Sequence, residues 1–370
     1  MSEINNKFQM LYRGSVKNVY GFESDKYLYF EFSNRYSVFD WGEMPDLLEN
    51  KGKALALFSK LAFDYLSLIC PNHYLGLVDE KNLNELDHGI VSNWMKVNKV
   101  TVNYPDKIQN SDRITYDYSI YKNKLTNCLI PLEVIFRFGV PQGGSIIDRL
   151  TELKQNNNRT FESYLSELGL ENTPIYGDQF QKPIIEFTTK LESTDRFLTY
   201  SEAKQIAGLS ESEFKSLLEK AVLLSIKLKE LLNAVGIKLW DGKFEFAFDS
   251  NRKLMLVDAI SPDELRLTKF DVHLSKEILR QYYKNSPWYD HVTEAKAIAK
   301  KRGVLEWKSI CENELKSKPT VLPPQLQILV SQMYQALTNA LSEFILKKKV
   351  FQECPALDDI IQKIKLETIK

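Results

Sequence analysis

Trp240-Asp241-Gly242-Lys243-Phe244-Glu245-Phe246-Ala247-Phe248, then Asp249-Ser250-Asn251-Arg252, then Leu254-Met255-Leu256-Val257-Asp258 is the stretch from which the fold is read. Alternation puts Asp241, Lys243 and Glu245 on one face of a strand, and Trp240, Gly242, Phe244, Phe246 and Phe248 on the other. The polar quartet marks a turn and the apolar run a returning strand, which brings Asp258 beside the first strand. Glu245 and Asp258 can then converge as two oxygen ligands, the number Mg²⁺ commonly takes from protein, with Lys243 a fixed positive charge beside them. A solvated sheet face carries the same alternation. Asp258, at the end of an apolar strand, is what favours a site.

Upstream, Ser210 and Glu213 form a capping box opening a long helix. Its stripe of Phe214, Leu217, Leu218, Ala221, Leu224, Leu228, Leu231 and Leu232 ends at Gly236 and reads as core. Toward the N-terminus, Leu11 to Phe32 reads as antiparallel strands around a glycine turn. Lys53 to Ile69 reads as a helix stopped by Pro71. Val97 to Tyr104 and Leu132 to Phe138 read as further strands. The polar run Gln155-Asn156-Asn157-Asn158-Arg159, within Leu150 to Pro183, reads as a surface excursion between two lobes. From Phe270 onward the pattern is helical, near Ser275 to Tyr283, Pro324 to Leu346 and Leu357 to Leu366.

The chain has 370 residues, 44% of them hydrophobic, enough for one large core or two linked ones. Lys plus Arg and Asp plus Glu balance at 49 each, so no global field attracts nucleic acid or an anionic membrane. Cys70, Cys128, Cys311 and Cys354 lack C-x-x-C spacing, against zinc or a disulfide framework. The polar N-terminus and the lack of long apolar runs point to a cytoplasmic protein with no membrane partner. Association into a homo-oligomer is left open.

Three other segments can bind anions. Arg13-Gly14-Ser15-Val16-Lys17 sets a glycine turn before a lysine, a way for amides and an ammonium to approach phosphate, though a single glycine between strands is often only a turn. Arg137 followed by Pro141-Gln142-Gly143-Gly144-Ser145 joins an arginine to a glycine-rich turn and a helix start, a phosphate or carboxylate pocket or simply an N-capped loop. Ser261-Pro262-Asp263-Glu264-Leu265-Arg266 puts Arg266 close behind Asp258, where it can hold an anionic group of a second substrate.

Taken in order, these segments resemble the phosphoribosylaminoimidazole-succinocarboxamide synthase (SAICAR synthetase) family. Leu11 to Tyr20 is similar to its L-Y-R-G-K-x-K-x-V-Y loop, Ser33 to Asp40 to S-D-R-x-S-x-F-D, and Asn50-Lys51-Gly52-Lys53 to its G-K-G step. Pro131 to Arg137 resembles P-L-E-V-V-V-R, Thr189-Lys190-Leu191-Glu192 resembles T-K-x-E, Asp241 to Phe246 resembles D-T-K-F-E-F-G, and Asp258 to Arg266 resembles D-E-x-x-[ST]-P-D-x-S-R. The likeness covers nearly the whole chain.

The resemblance implies a two-lobe α+β fold of antiparallel sheets with ATP between the lobes: 1–130 an N-terminal lobe with the phosphate-binding loop, 131–370 a C-terminal lobe with the metal and ribonucleotide sites and a helical tail. It implies ATP- and Mg²⁺-dependent joining of L-aspartate to carboxyaminoimidazole ribonucleotide through an acyl phosphate. By the same likeness Gly14, Lys17, Glu133 and Lys190 contact nucleotide, Glu245 and Asp258 the metal, and Arg137, Ser145 and Arg266 the ribonucleotide. Lys243 and Asp241 line the reacting centre, and Arg35 orients an acidic substrate. Ser15, Asn34, Thr194, Ala259 and Glu264-Leu265 depart from the family pattern. They keep alternatives open: an amide ligase for another carboxylate and amine, a small-molecule kinase, or a nucleotide-binding regulator without turnover.

Overall fold

The computed structural model describes residues 8–21, 25–87, 89–109, 114–141 and 143–368; Gln142 of the glycine-rich turn and residues 1–7 of the polar N-terminus lie outside the described residues. The elements begin with strands β1 (Gln9–Arg13), β2 (Lys17–Gly21) and β3 (Tyr27–Phe32), helix α1 (Lys51–Leu66), and strands β4 (Tyr74–Val78), β5 (Trp94–Asn98), β6 (Asp106–Gln109), β7 (Ile114–Asp117) and β8 (Cys128–Gly139). Then come α2 (Ile146–Asn156), α3 (Asn158–Glu167), β9 (Gln179–Thr189), β10 (Phe197–Leu198), α4 (Tyr200–Ile206), α5 (Glu211–Ala234), β11 (Lys238–Phe248) and β12 (Leu254–Val257). Last are β13 (Leu265–Lys269), β14 (Val272–His273), α6 (Glu277–Lys284), α7 (Pro287–Arg302), α8 (Trp307–Ser309), α9 (Pro324–Leu346) and α10 (Leu357–Thr368).

These elements form two compact units: Met1–Phe58, Gly76–Lys96 and Ser261–Lys370 in the first, Ser59–Leu75 and Val97–Ile260 in the second. The sequence expectation was one boundary between 130 and 131. The chain instead changes unit after Phe58, Leu75, Lys96 and Ile260, and a discontinuous division leaves no linker signature to read.

The first unit holds a five-stranded sheet in the order β1-β2-β3-β5-β4, with Lys17 opposite Phe32 and Gln9 opposite Gly21. Two residues fix the start of α1. Asn34 Oδ1 accepts from Gly52 N at 3.0 Å, satisfying one of the helix's unpaired amides. A Cβ on Gly52 would stand 2.2 Å from the Phe32 carbonyl oxygen, so no other residue fits there. Within this unit α10 packs on α9, burying Ile360, Ile361 and Ile364.

In the second unit the antiparallel strands run β10-β9-β8-β11, with β12 on the far edge of β11. The capping box of Ser210 and Glu213 forms as the sequence predicts and opens α5, whose Phe214, Leu217, Leu224 and Leu228 are buried. α5 packs on β8, β9 and β11, bringing Phe214 to within 5.4 Å of Phe187, ring centre to ring centre.

Two expectations are corrected. The polar stretch after Leu150 is not a loose excursion: α2 and α3 bury Ile146, Leu150, Phe161, Tyr164, Leu165 and Leu168 against Val140 and Ile184. Its Asn-rich run is the junction between the helices, where Asn157 Oδ1 caps α3 by accepting from Thr160 N. The strand expected over Val97 to Tyr104 ends at Asn98, because Thr101 turns away to exchange backbone hydrogen bonds with Asn127 and Leu129.

Candidate active site

Register decides which side chains meet in the second unit. Glu245 lies opposite Glu133 on β8 and Asp241 opposite Arg137, while Glu133 faces Thr188 on β9. Glu133, Arg137, Glu186, Thr188, Asp241, Lys243 and Glu245 therefore share one face. The opposite face carries Val134, Phe136, Phe187, Phe244 and Phe246, all buried. The amphipathic reading of the strand sequence holds, but the charged face is itself half to fully buried, so its charges are paired, as buried charges must be.

The pairing produces two clusters. In one, Glu245 Oε1 accepts from both Lys190 Nζ and Lys243 Nζ at 2.6 Å, and Lys243 Nζ also donates to Glu133 Oε1 at 2.8 Å. Thr188 Oγ1 donates to Glu133 Oε2 at 3.3 Å. Asp258 follows Val257, the register partner of Glu245, with its backbone in the left-handed region at φ 67°. His73 Nε2 donates to its carbonyl oxygen at 3.0 Å. Burial and then the Asp258 charge push the Glu245 carboxyl above the usual range, against the two lysines. At Glu133 burial acts upward too, but Lys243 and Lys190 outweigh it and the net shift is down. Burial lowers Lys190, and Glu245 more than restores it.

In the other cluster Arg137, 4% exposed, donates through Nε to Glu186 and through Nη1 to Asp241 Oδ2 at 2.9 Å. Arg149 also reaches Glu186, and Tyr164 OH donates to it at 3.4 Å. Ser145 Oγ accepts from Arg137 at 3.3 Å and Arg149 at 3.2 Å. Ser145 does start α2, but its hydroxyl turns to the arginines and makes no side-chain cap bond. Burial would raise the Glu186 carboxyl; the two arginines pull it below its ordinary value.

Asp241 and Lys243, adjacent on one face, thus serve different clusters. Sequence reading missed Glu186, Arg149 and Tyr164. A signal for Glu186 existed: a lone carboxylate inside the apolar strand Pro183-Ile184-Ile185-Glu186-Phe187 must find a cation.

In the first unit, the β1–β2 turn closes with Gly14 N donating to Lys17 O at 2.8 Å. A Cβ on Gly14 would lie 2.7 Å from that oxygen, which explains the glycine. Lys17 Nζ sits 4.1 Å from the Phe30 ring centre. Arg35 braces the turn from beneath, donating to Gly14 O at 3.0 Å, Ser15 O at 3.3 Å and Asn18 Oδ1 at 2.6 Å. Arg266 lies on β13 between buried Leu265 and Leu267, and is half-buried. Its neighbour Asp263 is consumed by a buried pair with Lys51 at 2.6 Å and a bond from Tyr334 OH at 2.6 Å.

Glu245 and Asp258 suit Mg²⁺. Both are hard oxygen donors, and the buried Glu245 oxygen already collects two cations. Among the described residues no set of three or more His, Cys, Asp and Glu is arranged to cage an ion.

A glycine turn followed by a lysine, and lysines and carboxylates gathered on an antiparallel sheet, are the groups an α+β enzyme uses to handle phosphate. The SAICAR synthetase family model matches residues 10–295. A putative phosphoribosylaminoimidazole-succinocarboxamide synthase of Archaeoglobus fulgidus is 36% identical over 91% of this chain and 92% of its own. The synthase of Thermoplasma acidophilum is 29% identical over 90% of this chain and 99% of its own. In fold, the chain is similar to the Saccharomyces cerevisiae SAICAR synthase complexed with SAICAR, with a TM-score of 0.60, 20% identity, and coverage of 92% of this chain and 97% of that one. The chain belongs to the SAICAR synthetase family.

Proposed function

We infer that the chain joins L-aspartate to carboxyaminoimidazole ribonucleotide at the expense of ATP, giving SAICAR, ADP and phosphate, a step of purine biosynthesis. The observation that carries this is the cluster of Lys190, Lys243, Glu133 and Glu245 on one sheet face, in a chain whose family makes this bond. A solved SAICAR synthetase in complex with ADP has a similar fold, at a TM-score of 0.50.

A carboxylate resists amines at neutral pH because its oxygens are poor leaving groups. A carboxylate oxygen of the ribonucleotide attacks the γ-phosphorus of ATP, the bond to the bridging oxygen breaks, and ADP leaves. The aspartate amine then attacks the acyl carbon, the C–O bond to phosphate breaks, and the amine gives up a proton. In the first unit Gly14 and Lys17 serve the phosphates; in the second Lys190 and Glu133 complete the nucleotide set, and Lys243 and Asp241 line the reacting centre. Arg137, Ser145 and Arg266 bind the ribonucleotide. Glu245 and Asp258 would hold Mg²⁺, which offsets phosphate charge when bound. Arg35 acts through the turn it braces rather than on substrate. A cytoplasmic setting, where thiols stay reduced, suits the four buried free cysteines and the biosynthetic role. Among the described residues no helix is long and apolar enough to cross a membrane.

The test is ADP and free phosphate release by the purified protein with Mg²⁺-ATP and both substrates, each omitted in turn. Release that requires all components supports the reading. ADP without free phosphate would make it a kinase, and no release with ATP bound would overturn turnover altogether.

A further inference from the structure

Glu245 Oε1 is an unusual oxygen. Two ammonium groups, Lys190 Nζ and Lys243 Nζ, stand 2.6 Å from it, and its side chain is only 3% exposed. Counted by formal charge, Glu133, Glu245 and Asp258 with Lys190 and Lys243 carry one net negative charge, which repels a polyphosphate. A divalent cation at Glu245 and Asp258 would turn this to one net positive. A cation that takes this same oxygen displaces at least one ammonium, since Oε1 cannot keep both lysines and bind a metal as well.

The two lysines differ in what they lose. Lys243 keeps Glu133 Oε1 at 2.8 Å when Glu245 is taken. For Lys190, Glu245 is the carboxylate its ammonium bonds, and it sits just beyond the end of β9; the two lysines are almost equally exposed, at 24% and 22%, so they differ in partners. The Lys190 ammonium is therefore the freer to move, and a released ammonium beside a bound cation has phosphate oxygens as its natural partner.

We propose that Lys190 is a resident stand-in for the metal: its ammonium holds the Glu245 carboxylate until a divalent cation takes that oxygen, then shifts to the phosphates of the incoming nucleotide. This rests on the metal and nucleotide assignments above and adds the order in which one cation yields to another. Metal binding to nucleotide-free protein competes with Lys190, whereas nucleotide binding needs Lys190 released, so metal and nucleotide bind cooperatively through one side chain.

The experiment titrates Mn²⁺ into nucleotide-free protein, read by the electron paramagnetic resonance of the free ion, for wild type, Lys190→Met, Lys243→Met and Glu245→Gln, with thermal unfolding of each. Removing the competing charge in Lys190→Met tightens Mn²⁺ binding on the order of tenfold, and ATP binding measured by calorimetry with saturating Mn²⁺ weakens. Lys243→Met tightens Mn²⁺ less. Unchanged or weaker Mn²⁺ binding in folded Lys190→Met overturns the proposal, since a lysine that merely anchors Glu245 would behave so. Should Lys190→Met fail to fold, Lys190→Gln carries the same expectation. Mn²⁺ binding that survives Glu245→Gln at full strength overturns the metal assignment itself, a failure distinct from that of Lys190.

Discussion

The two charged clusters of the second unit lie on one sheet face, and each couples carboxylates to cations, yet they are built for opposite ends. Around Glu186 the cations are arginines, the Arg137 and Glu186 side chains are 5% and 0% exposed, and each group meets several partners. Around Glu245 the cations are lysines with 24% and 22% of their side chains exposed, both crowding one oxygen. The carboxyl shifts run in opposite directions, down at Glu186 and up at Glu245. Planar guanidinium groups meet carboxylates in a fixed fork, while an ammonium on a flexible stem can leave. The difference is between a carboxylate fixed by buried arginines and the lysine-held oxygen that we propose exchanges its cation.

The largest test of that contrast is Glu245→Gln. Removing the charge that gathers both lysines lowers ADP release by at least roughly a thousandfold, while the unfolding midpoint stays near or above wild type because a buried carboxyl is neutralised. Asp258→Asn behaves alike. Full turnover in either variant would remove the exchangeable role. The converse is Arg137→Ala, which leaves Glu186 buried with Arg149 as its remaining guanidinium and costs about 3 kcal/mol in denaturant unfolding. A loss under about 1 kcal/mol would mean that the Glu186 cluster is not a brace.

A smaller effect sharpens the comparison in the first unit, where Arg35 is another fixed arginine. Arg35→Ala frees the Gly14 and Ser15 carbonyls and raises KM for ATP roughly tenfold, with KM for aspartate unchanged. A rise in the aspartate KM instead would restore the role that the family likeness first gave Arg35. The smallest effect concerns Glu213, which pairs with Arg252 and Lys124. Its burial works upward, but the Arg252 and Ser210 hydrogen bonds bring its pKa down to about 2. A depressed folded pKa stabilises above the ordinary carboxylate value and the gain is lost as pH falls toward 2. Glu213→Gln therefore costs about 1 kcal/mol at pH 7, and the gap to wild type closes in acid. A gap unchanged at pH 2 would refute the linkage.

Much of this architecture was legible in the sequence. The β11–β12 hairpin, the capped α5 and the β1–β3 meander rest on local signals: a period of two, a capping box, a glycine that a 2.7 Å approach makes obligatory. Asp241, Lys243 and Glu245 were placed on one strand face for the same reason. What escaped depends on contacts far apart in sequence. Glu186 and Arg149 acquire meaning only when β9 and α2 bring them to Arg137, and Asn34 only when it caps Gly52. The helix start at Ser145 was read, but the extent of α2 and the whole of α3 were not, because composition was weighed over spacing and a polar junction hid two apolar faces.

The interleaving of the two units has a consequence for how the protein is made. By the time residue 260 has left the ribosome, every segment of the second unit has been synthesised, and strands β8 to β12 can pair. The first unit still waits for Ser261–Lys370, whose Asp263 accepts from the buried Lys51 ammonium and from Tyr334 OH. Until then its N-terminal strands and the start of α1 hold an uncompensated cation and unburied apolar surface. That makes the nascent first unit the stage most exposed to aggregation and to chaperone capture during synthesis.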